Sequence, residues 1–253
     1  MRRPDDRYRT DIAAGIAVLS YSAVLNEILP EAVHVPANLA AAATLLTLAW
    51  RAGASPGDVG LAPDTMRAGA RVGLMIAAPI VAGIGLAART PATASYFDDA
   101  RVLGTSRRRA VYETAIRIPV GTALGEELMF RGALLGLFGR RYSTASAVGI
   151  SSLLFGVWHV LPTLHSLAEN PPEGAGASSR TLGVVAGTVA ATAAAGVAFA
   201  TLRLRSRSAL TPVIVHAAIN SAAFIAARQA PRRLATQRSS LGHRAAQSAD
   251  EMQ

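Results

Sequence analysis

The chain has 253 residues, of which 51% are hydrophobic and only 16% charged, and its mean hydropathy is +0.32. Soluble domains carry about 25% charged residues, so this composition does not describe a soluble globular protein, and its apolar content excludes disorder over most of the chain. There is no Cys, which removes disulfides, thiolate metal sites and a thiol nucleophile together. All 25 basic residues are Arg, and the net charge is +9. The arginines cluster between apolar runs, as they do in membrane-flanking segments, so the charge points to membrane lipid and not to nucleic acid.

Met1-Arg2-Arg3 precedes a first apolar stretch over 12–29. It starts like a signal peptide, but Asn26, Glu27 and Pro30 stand where a small-x-small cleavage site would be, so an uncleaved first span is expected. Charge-free runs follow at 32–50, 72–88, 142–168, 181–202 and 208–227. Each has the roughly 17–25 residues a spanning helix needs. A further segment, 112–138, is apolar apart from five charges. The expected fold is all-α: a polytopic membrane helix bundle of about seven spanning helices, packed closely through abundant Ala and Gly. Residues 1–110 read as N-terminal spans and loops, 111–228 as the core that carries the chemistry, and 229–253 as a polar, Arg-rich, disordered tail. With seven spans the arginines divide almost evenly between the two membrane sides, and those nearest span ends lean toward a cytoplasmic N-terminus.

The five charges within 112–138 are the costly feature, because ionisable groups inside a membrane must be paired or hydrated and by default mark function. Glu113 and Arg117 are four apart and share a helix face, as do Glu127 and Arg131. That leaves Glu126, offset by about 100° from Glu127, without a local partner. Desolvation raises the pKa of a lone buried carboxylate, which suits a general base working near neutral pH. A structural role, capping or bonding a neighbouring helix, stands beside that reading.

The remaining polar residues of the apolar runs favour chemistry. Phe155 and His159 are four apart in 142–168, and His216 and Asn220 are four apart in 208–227. Two His, one Asn and one free Glu on three apolar segments match a hydrolytic site: a base, imidazoles to hold a metal or stabilise charge, and an amide to donate to an oxyanion. His165 reads as a loop residue beyond Pro162, and His34 and His243 lie outside the apolar cores. H-E-x-x-H and G-x-S-x-G are absent, so a zincin or a serine hydrolase has no support. One tension concerns depth. Spans starting near Ser143 and Arg207 put His159 about 24 Å and His216 about 13 Å from the same face, at about 1.5 Å per residue. Reading Thr211-Pro212 as N-cap and first-turn proline widens that gap.

Glu126-Glu127-Leu128-Met129-Phe130-Arg131-Gly132, Phe155 to His159, and His216 to Asn220 follow one another as E-E-x-x-x-R, F-x-x-x-H and H-x-x-x-N. In that order they resemble the CAAX prenyl endopeptidase and bacteriocin-processing (CPBP, Abi-type) intramembrane protease family, over about 112–228. The resemblance implies a helical membrane bundle with an interior site. Glu126 would activate water against a peptide bond of a membrane-anchored or prenylated substrate. His159 would assist the water or bind a metal, and His216 and Asn220 would bind metal or stabilise the oxyanion. Glu127 and Arg131, with Phe155, would support the site. A divalent metal such as zinc, held by His159, His216 and Glu126, and a metal-free glutamate mechanism are both compatible, although Asn220 suits an oxyanion better than zinc. The resemblance also implies a bacterial cell-membrane protein. A non-catalytic scaffold or bacteriocin self-immunity protein, and a proton-coupled transporter, are the competing readings; the last lacks an internal repeat.

Overall fold

The computed structural model describes residues 4–99, 101–102, 104–169 and 177–229. The expected disordered tail lies outside them, apart from Gln229. The described elements are helical, with no strand among them. We number the main helices α1 (Pro4–Glu27), α2 (His34–Arg51), α3 (Pro63–Ala87), α4 (residues 107–139), α5 (Thr144–Trp158), α6 (Val160–Glu169), α7 (Ala177–Ser206) and α8 (Leu210–Gln229). Their starts follow local chemistry. Pro63 opens α3 with Asp64 in the first turn. Ser106 Oγ caps α4 by accepting from the Arg109 amide at 3.1 Å, and Ser143 Oγ caps α5 by accepting from that of Ser146 at 3.2 Å. Thr211 does not act as the expected N-cap. The helix starts one residue earlier, and the Thr211 hydroxyl donates to Gly69 O of α3 at 2.9 Å.

Five helices among the described residues are long and apolar enough to cross a membrane: Glu31–Arg51, Pro63–Ala87, Thr144–Glu169, Ser178–Ser206 and Leu210–Gln229. The other two expected spans are helical, in α1 and α4, but carry more polar groups. The chain is an integral membrane protein of helical build. α3 rests on α8 through small residues. A Cβ on Gly69 would lie 2.3 Å from Ser208 Cβ, and one on Gly73 would lie 3.0 Å from Ile214 Cβ. Close backbone approach of this kind is how helices associate in lipid. Leu74, Met75 and Leu86 of α3 point outward.

α4 is not a regular α-helix. It is π-wound over Glu113–Leu124 and again over Leu128–Leu134, with Gly125–Glu127 as a single α turn between. Pro119 lies in the first π stretch and lacks the N–H for an i→i−4 bond. Such winding recurs at functional sites. Gly121, Gly125 and Gly136 let α4 press against α2 and the loop after it; a Cβ on Gly121 would lie 2.8 Å from Val35 Cγ2.

The two ends of the bundle differ. At one, the 52–62 loop gathers the chain. Asp58 accepts from the Ser55 amide at 2.8 Å and from Arg140 at 3.1 Å, and the Ser55 amide holds its carboxyl below the usual range. Buried Arg203 donates to the carbonyls of Gly57 and Asp58, Ala209 N donates to Gly60 O at 2.8 Å, and Arg141 pairs with buried Asp11. The other end holds a cavity.

Candidate active site

The cavity has a volume of about 880 Å³ and is lined by the end of α1, the starts of α2 and α4, α6, the end of α8 and the segment before α4. Glu126, His159 and Asn220 all face it. Its outer part is charged. Glu113 accepts from Arg109 Nε at 2.7 Å and from Arg117 Nε at 2.5 Å, so the predicted Glu113–Arg117 pair forms, and Glu31 pairs with Arg109 as well.

Glu126 sits on the α turn between the two π stretches and is 6% exposed. Its Oε1 accepts from Trp158 Nε1 at 3.3 Å, while its Oε2 is buried with no hydrogen-bond partner among the described residues. The expected partnerless carboxylate is therefore half-partnered, by an indole on another helix. His159 ends α5, and its Nδ1 lies 2.7 Å from Phe155 O. A carbonyl only accepts, so Nδ1 carries the hydrogen, and Nε2 keeps its lone pair in the neutral ring. The ring meets Phe155 edge-on at 4.6 Å.

His216 is placed differently from the other three residues. It does not line the cavity. It is buried, and its Nδ1 lies 2.9 Å from Glu127 Oε1, the same oxygen that accepts from Arg131 Nη1 at 3.1 Å. Glu127 thus joins the predicted Arg131 pair to His216, with both charged side chains fully buried. Arg131 lies 4.0 Å over the Phe155 ring, and His216 stacks on Phe199 at 5.2 Å. Phe155 touches both histidines, at 6.1 Å for His216. His216 is therefore level with Phe155, one turn before His159, and Asn220, one turn further along α8, reaches the cavity. This is how the depth mismatch resolves.

His34 and His165, read as lying outside the site, both line the cavity. His165 is on α6, not in a loop, and its Nε2 meets Glu27 Oε1 at 3.0 Å. His34 Nε2 bonds Leu29 O at 3.0 Å. Among the described residues no group of three His, Cys, Asp or Glu side chains is gathered for a metal ion. With His216 turned to Glu127, the set Glu126, His159 and His216 does not fit a metal as placed.

Three residues escaped the sequence reading: Trp158, Tyr21 and Asn38. The Tyr21 hydroxyl donates to Asn38 Oδ1 at 2.7 Å, and Asn38 Nδ2 donates to Gly121 O at 3.0 Å. The signals were available. A Trp beside a site His needs an acceptor when buried, and Asn38 is a lone amide in an apolar run.

A helical bundle with ionisable groups around an interior cavity defines the class: an integral membrane protein with a polar site. Residues 110–222 match the family model described as type II CAAX prenyl endopeptidase, Rce1-like. The motif-bearing part of the chain is thus similar to the CAAX membrane protease family, as the three motifs indicate. The match covers most of α4, all of α5 to α7 and the first part of α8, and leaves α1 to α3 outside. No curated protein and no solved structure matches the chain.

Proposed function

We propose that the protein is an intramembrane endopeptidase in which Glu126 activates water against a peptide bond of a membrane-anchored or prenylated substrate. The observation that carries this is Glu126 Oε2, a buried carboxylate oxygen with no partner among the described residues, on a residue that faces a cavity with His159 and Asn220. A water there donates one hydrogen to Oε2 and the other to His159 Nε2, which leaves an oxygen lone pair for the peptide carbon. Attack forms the C–O bond and moves a proton to Glu126. Asn220 Nδ2 donates to the oxyanion. Collapse breaks the C–N bond as Glu126 passes its proton to the leaving amine. No step is routed through a metal.

His216 acts behind this surface. Its bond to Glu127 sets the rotation of α8, and with it the aim of Asn220 one turn on. The apolar exterior suits a substrate that arrives within the membrane, and the charged cavity mouth admits water. The family match favours this reading over a scaffold or a transporter. The test is hydrolysis of an internally quenched farnesylated peptide by the purified protein in detergent. Glu126→Gln keeps the shape and removes the base, so it should abolish turnover while the protein stays folded. An active, folded Glu126→Gln variant would overturn the assignment.

A further inference from the structure

We propose that Trp158 is a positioning residue for this reaction: its indole N–H holds Oε1 of Glu126, so that Oε2 alone is presented to water. The inference rests on the reading of Glu126 as the base. A carboxylate in an open site turns about its last torsion and exchanges its two oxygens. Here Oε1 is tied at 3.3 Å, and Oε2 is the oxygen left without a partner. An indole suits the task because it only donates and does not titrate in the working range.

The indole itself cannot swing away. Trp158 is 2% exposed. Its ring lies between Tyr21, centroids 5.9 Å apart, and Phe130, 5.7 Å away and nearly perpendicular. Its backbone carbonyl accepts from Ser22 Oγ at 3.3 Å. Tyr21 is fixed in turn through Asn38 to Gly121 O on α4, one turn before Glu126. The base is therefore aimed by a cage of which α1 supplies one wall, although α1 lies outside the family-matched segment. Trp158 and Phe130 fall at unspecified positions of the motifs, and Tyr21, Ser22 and Asn38 lie outside them.

The experiment uses the full chain in detergent with the same quenched peptide. Trp158→Phe keeps an aromatic ring and removes the N–H. Loss of one hydrogen bond to a charged group should lower kcat about tenfold or more. KM should change little. Because the ionised form loses its donor, the acid limb of the kcat/KM profile should move to higher pH, which a packing defect alone would not cause. An unmoved acid limb, with Glu126→Gln inactive, overturns the positioning role and leaves the base assignment standing. An active Glu126→Gln variant removes the base assignment itself. A second measurement needs no turnover and does not depend on Trp158→Phe folding. The chain has two Trp, and Trp50, half-exposed at the end of α2, lies away from the site. In a Trp50→Phe background, the emission of Trp158 should titrate with pH at the midpoint of the acid limb, and Glu126→Gln should abolish that titration. Emission that is flat with pH, or that titrates unchanged in Glu126→Gln, overturns the proposal.

Discussion

Replacing Glu127 by Gln should unfold the protein far more readily than replacing its neighbour Glu126. Arg131 and Glu127 are both 0% exposed and meet at 3.1 Å. Arg131 Nε and Nη2 have no partner among the described residues, so the Glu127 carboxylate is what compensates the buried guanidinium. An amide at 127 leaves that charge uncompensated. Removing one partner of a buried pair costs about 3–5 kcal/mol. At about 2–4 °C per kcal/mol for a chain of this size, Tm should fall on the order of 10 °C. The His216 bond weakens as well, so activity should fall in whatever folded fraction remains. Thermal unfolding of the detergent-purified variants, followed by circular dichroism, measures this. The double change Glu127→Met with Arg131→Met should recover part of the lost stability, since no charge is then stranded, yet stay inactive because His216 Nδ1 has no acceptor. A Glu127→Gln protein with Tm within about 2 °C of the parent would refute the claim that this pair is buried and charged.

Activity should survive exhaustive chelation in a sample that elemental analysis shows to be metal-free. Loss on chelation, restored by a stoichiometric divalent ion, would show that the ligands come together in solution as they do not here. Gly69→Val should destabilise the α3–α8 contact by about 1–3 kcal/mol through overpacking, read as a lowered Tm, whereas a substitution at Gly83, where a Cβ meets nothing within 4 Å, should leave Tm unchanged. Asp58 has a depressed pKa in the folded protein, so its contribution is full above the unfolded value of about 3.9 and is lost as pH falls through the folded value. The stability gap between the parent and Asp58→Asn should therefore be constant at neutral pH and close only below about pH 4.

Pairing along one helix was readable from the sequence, because i and i+4 positions meet whatever the tertiary fold. Glu113–Arg117 and Glu127–Arg131 both form. That Glu126 stands apart from both pairs followed from the same spacing. Register between helices was not readable. His159 and His216 belong to helices whose relative depth depends on where each enters the bundle, and Thr211, spent on Gly69 O, gave a false marker for the start of α8. The π winding of α4 was equally hidden, since Pro119 and the nearby glycines are compatible with a kink, a break or a wider helix. Contacts from α1 were invisible for a different reason: Tyr21 and Ser22 act on a residue more than a hundred positions away.

The cavity gives the bundle a sidedness. Its mouth lies where α1 and α8 end and α2 and α4 begin, while the Asp58 loop closes the opposite end, where α4 and α7 finish. In the proposed reaction, water and a polar fragment released by it would exchange with the compartment on the side of the mouth. Insertion with the start of α1 in the cytoplasm, as the arginines lean, turns the mouth outward, and the proposed peptidase would then act on tails presented at the outer leaflet. The reverse insertion gives the same chemistry to the cytoplasmic leaflet. The direction in which α1 enters the membrane thus selects the pool of substrates before any side chain in the site does.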